Sequence, residues 1–151
     1  MWVRPDNGPR MQEATREARY VGIGGVAAVI HGLPRMTFDL DLLIDPAPGN
    51  TQAVVDALRD AGILGTDRIE AADLIGEGVA ALGCTFNIDV LTRTPQTSFA
   101  AACERRETVT LDGVPVGMLS RADLIASRRA RGQREGTEDV DALRRIERGE
   151  V

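Results

Sequence analysis

Apolar residues fall in short blocks along this chain, and their spacing changes from block to block. Tyr20 to Ile23 is a brief apolar run closed by Gly24-Gly25, which reads as a buried strand ending in a sharp turn. Val26 to Ile30 is apolar nearly all round and predicts a buried helix that ends near Gly32. After a Pro-Arg loop, Phe38 to Ile44 predicts a second strand. Phe38, Leu40 and Leu42 point one way there, and Asp39 and Asp41 the other.

The pattern then becomes helical. Val54, Val55, Leu58 and Ala61 form a stripe between a cap at Asn50 or Thr51 and a stop at Gly62. Asp67 to Ile75 keeps helical spacing, and Gly76, Gly78 and Gly83 break up the residues beyond it. Phe86 to Leu91 predicts a third strand, with Phe86, Ile88 and Val90 on one face and Asn87 and Asp89 on the other. A helix is expected from Thr97 or Ser98 to about Arg106. A hairpin comes next, around Asp112-Gly113. Ser120 with Asp123 opens a helix that stops at Gly132. The last helix is expected from about Thr137, burying Val140, Leu143 and Ile146.

This order predicts an α/β (α+β) fold, a mixed β-sheet flanked by helices, formed by residues 20–151 as a single domain. Residues 1–19 lack a period and read as an N-terminal arm with a short helix in Met11 to Arg19.

Composition narrows the class. A hydrophobic share of 43% and a charged share of 27% are those of a soluble globular domain. No apolar run approaches the roughly 20 residues of a membrane span. The N-terminus shows no signal-peptide pattern, so the expected compartment is the cytoplasm. Cys84 and Cys103 have no metal-ligand spacing and read as reduced core thiols. A net charge of -5 argues against a protein that coats nucleic acid with its whole surface. All 18 basic residues are Arg, so any phosphate held by a side-chain cation meets a planar guanidinium fork.

Candidate chemistry gathers on the two acidic strands. Paired carboxylates repel one another, and a divalent cation with a preference for hard oxygen ligands relieves that repulsion. A solvated edge strand accounts equally well for Asp39 and Asp41 taken alone. Asp89 joins them if its strand pairs beside theirs. Gly24-Gly25 at a helix start suits a phosphate, and also suits a plain tight connection. Arg35 stands in the loop before the acids, placed to contact a phosphate or to pair with one of them. His31, the single histidine, reads as a packed or capping residue. Arg128, Arg129, Arg131 and Arg134 form either a solvated face or a cationic wall opposite the carboxylates.

The string GGVAAVIHGLPRMTFDLDLLI, with NIDVL further along, resembles the nucleotidyltransferase superfamily with the DNA polymerase β-like fold. The form GGxAxxxHGxxRxTxDxD is similar to its small bacterial branch of AbiEii-type toxins and related proteins. DLIASRRARG and the helix after it resemble the closing region of that branch, which often has Lys at the Arg128 position and a further Asp near Gly136. The resemblance implies Asp39, Asp41 and Asp89 as catalytic metal ligands for Mg²⁺ or Mn²⁺. It implies Gly24, Gly25, Arg35, Thr37 and Arg128 as the nucleotide pocket. The activity implied is transfer of an NMP from an NTP, ATP among them, to a hydroxyl on tRNA, a protein or a small molecule. A toxin with a cognate antitoxin is one form of it. The competing reading is an inert nucleotide-binding or antitoxin-like module of the same fold that binds a partner.

Overall fold

A computed structural model describes residues 18–37, 39–74, 79–82, 87–132 and 134–150. Most of the expected N-terminal arm and its short helix, Phe38, Gly76, Gly78, Gly83, Cys84, Phe86 and the side chain of Arg134 lie outside that set.

Among the described residues six strands form one sheet: β1 (Tyr20–Ile23), β2 (Asp39–Ile44), β3 (Val79–Leu82), β4 (Asn87–Leu91), β5 (Glu107–Leu111) and β6 (Val114–Met118), in the order β3-β4-β2-β1-β6-β5. The sheet is mixed. β2 runs parallel to β4 and antiparallel to β1; β1 runs parallel to β6; the edges β3 and β5 are antiparallel to their neighbours. The helices are α1 (Gly24–Ile30), α2 (Pro48–Asp60), α3 (Phe99–Glu104), α4 (Arg121–Arg131) and α5 (Arg134–Glu147).

Alternation along the strands divides the core in two. Leu40, Leu42 and Ile44 of β2 join Ile88 and Val90 of β4 under Val54, Val55 and Leu58 of α2. Leu43 of β2 joins Val21 and Ile23 of β1 on the other face, under Ala27 and Ala28, Phe99, Leu124 and Leu143 from the remaining helices. Asp39, Asp41 and Leu43 share that second face, which passes from exposed to half-buried to fully buried along the strand. The carboxylates therefore stand at the rim of a core, not on a solvated sheet face.

Several local expectations hold. Ser120 Oγ accepts from Asp123 N at 3.1 Å, and Gly132 ends α4 in the left-handed region. Asp112 and Gly113 both take positive φ, 49° and 83°, as a two-residue hairpin turn requires. Ser98 caps α3 through Ala101 N. Others are corrected. The first helix starts at Gly24 and the last at Arg134, each earlier than expected. Neither Asn50 nor Thr51 caps α2. Pro48 begins it, because its fixed φ suits the first turn, and Asn50 instead bonds Arg19 O and Asp45 O. The helical spacing at 67–75 resolves into two 3₁₀ turns, Thr66–Arg68 and Ala71–Leu74. β3 has no counterpart in the expected order, because its small apolar stretch sits among glycines. Cys103 is a free, half-buried thiol packed against the second core.

His31 fastens the layers that carry the site. It is buried at the end of α1, and its Nε2 donates to Leu119 O, just before α4, at 2.7 Å. His31→Leu leaves that carbonyl without its donor and should cost about 1–3 kcal/mol in denaturant unfolding. A variant as stable as the parent would show that this bond does not tie α1 to α4.

Candidate active site

β2 and β4 are parallel and in register, so Asp41 and Asp89 are direct Cα partners, and Asp39 stands opposite Asn87. Because β1 and β2 are antiparallel, Ile23, the last residue of β1, stands opposite Asp41. The turn at Gly24 thus opens beside the carboxylate. Gly24 has φ +67°, and a Cβ there would run into the Asp41 carboxylate. A Cβ on Gly25 would lie 2.7 Å from Thr37 Oγ1. The double glycine lets α1 begin against two site residues at once. Thr37 Oγ1 lies 3.3 Å from both Asp39 N and Asp39 O, fixing the entry into β2.

Burial raises Asp41 above the usual carboxylate pKa; the charges of Asp89 and then Asp39 add to it, while Arg131 and Arg128 act against it. Asp39 is exposed, and its Oδ1 accepts from Asn87 Nδ2 at 3.0 Å. Among the described residues no three His, Cys, Asp or Glu side chains stand arranged as a metal cage. The donor chemistry nevertheless suits a hard cation. The candidate donors are all carboxylate oxygens, on neighbouring backbone positions, and the central one carries a charge that its surroundings disfavour.

Arg35 does not pair with the strand carboxylates. Its Nη1 bonds Asp139 Oδ2 at 2.7 Å, and Arg128 Nε lies 3.6 Å from the same oxygen. The loop arginine and the helix arginine therefore meet on α5. Burial lowers Arg128 from its usual value, Asp139 and Asp41 support its charge, and Arg35 and Arg131 oppose it. The structure brings Asp39, Asp41 and Asp89 onto adjacent strands, with Gly24, Gly25 and Thr37 against them, and draws Arg35 and Arg128 together at one side.

Sequence reasoning missed Asp139. It shares a helix face with Gly136 and Leu143, at steps of three and four, so an acid on the inward face of the last helix was the available signal. It also missed Asn87 as a partner of Asp39. That pairing depends on the parallel register, which periodicity does not disclose.

No family model matches the chain, and neither does any curated protein. Among solved structures it is similar to one from Thermotoga maritima, the crystal structure of a candidate nucleotidyltransferase. The TM-score is 0.60 at 14% identity, over 97% of this chain and 96% of that one. The two share a fold across nearly their whole length. Among the described residues no helix is long and apolar enough to cross a membrane.

The raised Asp41 pKa has a consequence for stability. The folded state holds this proton more tightly than the unfolded chain, so ionising Asp41 costs stability. The cost is absent below the ordinary carboxylate range and complete above the raised value. Asp41→Asn should therefore unfold at a higher temperature than the metal-free parent at neutral pH, and the difference should vanish in acid. A variant less stable at neutral pH would mean that Arg128 and Arg131 outweigh burial and the neighbouring carboxylates.

Proposed function

We propose that this chain is a metal-dependent nucleotidyltransferase that moves an NMP from an NTP to a hydroxyl acceptor. The observation that carries the reading is the register of β2 and β4, which sets Asp41 beside Asp89 with Asp39 next along, at the strand end where the Gly24-Gly25 turn opens. Two like charges at adjacent central positions reduce stability, and a phosphate-bound cation gives them a use.

Asp39, Asp41 and Asp89 would hold Mg²⁺ or Mn²⁺, which when bound neutralises charge on the phosphates and makes the acceptor hydroxyl easier to ionise. The chain's own groups do the rest. Gly24 and Gly25 let the start of α1 lie directly against Asp41 and Thr37, so that its first backbone N–H groups serve phosphate oxygens beside the carboxylates. Arg35 and Arg128 take the β and γ phosphates through their guanidinium forks. Thr37 fixes the start of β2 and with it the direction of Asp39. The acceptor oxygen forms its bond to the α-phosphorus as the bond to the bridging oxygen of the β-phosphate breaks. Acceptor-linked NMP and pyrophosphate result, and Asp89 receives the hydroxyl proton.

The acceptor in this reading is tRNA, a protein or a small molecule. A bacterial, cytoplasmic toxin held by a cognate antitoxin fits the reading, with ATP among the donors. Calorimetry of the four NTPs, with and without Mg²⁺ or Mn²⁺, tests it on the parent and on Asp41→Asn. The parent should bind in a metal-dependent way and the variant should not; transfer should fall by at least about a hundredfold once an acceptor is found. A well-folded parent that binds no NTP would turn the reading to an inert partner-binding module of the same fold.

A further inference from the structure

α4 and α5 meet at a close contact that sequence preference does not favour. Gly136 lies in the first turn of α5, where glycine is a poorer helix former than alanine. Its role is steric: a Cβ there would stand 2.9 Å from the Arg128 carbonyl oxygen. The backbone of α5 thus rests against the residue of α4 that bears the buried guanidinium. Asp139, one turn further on the same face, then meets both Arg35 and Arg128 through one oxygen, Oδ2.

The three groups differ in burial. The side chains of Asp139 and Arg128 are 14% and 12% exposed, and that of Arg35 is 36% exposed. Arg131, whose charge also bears on Arg128 and on Asp41, is exposed. One carboxylate therefore serves two cations, and the charge of Arg131 bears on one of them. The local charge is positive, and the two fixed arginines spring from separate elements, a loop and a helix. Without a shared anchor they would have no reason to hold one spacing.

We propose that Asp139 is a positioning residue, held in place by the close contact at Gly136, that sets Arg35 and Arg128 as a two-armed clamp for a diphosphate group. On the nucleotidyltransferase reading, on which this role rests, that group is the β,γ-diphosphate of the donor and then the pyrophosphate released. Asp139 touches neither the nucleotide nor the reacting atoms. It acts through the two guanidinium groups.

The sign of one effect separates positioning from plain charge. Removing a carboxylate beside an anion site should tighten anion binding if charge alone matters. Removing an anchor should loosen it, because misplacing a ligand-binding group outweighs a screened charge change. Inorganic pyrophosphate, titrated calorimetrically, is the probe. Asp139→Asn keeps the shape and loses the charge; it should bind pyrophosphate roughly tenfold more weakly than the parent. Arg35→Ala should also bind weakly, and the double variant should lose less than the sum of the two singles, since the Arg35 arm is lost in both. Gly136→Ala keeps every charge and improves helix propensity, yet should weaken pyrophosphate in the same direction. Circular dichroism at the titration temperature shows that each variant is folded.

Unchanged or tighter binding by Asp139→Asn, or additive losses in the double variant, would overturn the clamp. The two proposals fail separately. A parent that binds NTP with metal through Asp41 but gains nothing from Asp139 keeps the activity and loses the clamp. A parent that binds pyrophosphate through Asp139 but no NTP with metal keeps the clamp as an anion site and loses the activity.

Discussion

The constraint on which the rest of the structure depends is the pairing of Asp41 with Asp89. They are Cα partners on two parallel strands in the middle of the sheet. Burial and the neighbouring carboxylates both disfavour ionised Asp41. Nothing in the core gains from this arrangement. Leu43, two residues along the same face, is fully buried among Val21, Ile23 and the helices above, and a leucine at 41 would extend that core. The chain keeps carboxylates at the core's edge and loses apolar burial by doing so. The fold around them reads as a set of devices for holding a repulsive cluster in one place.

Those devices come from separate parts of the chain. β1 supplies the turn whose bare glycines admit Asp41 and Thr37 beside the start of α1. α1 is short and has no side-chain cap, so its position comes from buried Val26, Ala27 and Ala28 and from the His31 bond to Leu119. That bond leads directly to Ser120, whose cap sets the start of α4 and hence the place of Arg128 near its end. One path of short contacts therefore links the glycine turn to the cationic side of the site.

Much of this was legible in the chain. Alternation in DLDLLI and NIDVL separated the acids from the apolar face, and the structure keeps that separation. Cap and turn residues at Ser98, Ser120, Asp112-Gly113 and Gly132 marked their elements because those local conformations have few alternatives. What was not legible depends on distance along the chain. The pairing of Asp41 with Asp89 required β4 to lie parallel beside β2, which neither strand announces. Proximity in sequence pointed Arg35 toward the acids of β2 or a phosphate beside them. It pairs not with a β2 acid but with Asp139, 104 residues along the chain, because α5 brings a carboxylate to the loop. β3 was hidden since a short run of small apolar residues among glycines has no period to read.

The two charged halves explain each other. Asp39, Asp41 and Asp89 lie on the sheet; Arg35, Arg128 and Arg131 lie on a loop and a helix beside it. Each half is uncomfortable alone, the one from clustered anions and the other from buried guanidinium beside like charges. Direct pairing between them would relieve both at once, and long arginine side chains are well suited to it. The structure instead gives Arg35 and Arg128 a separate carboxylate, Asp139, and leaves Asp39 to an asparagine. An anchor for the cations on their own side keeps the arginines from collapsing onto the sheet acids, and on the proposed reading that separation leaves both halves free for a metal-bound polyphosphate.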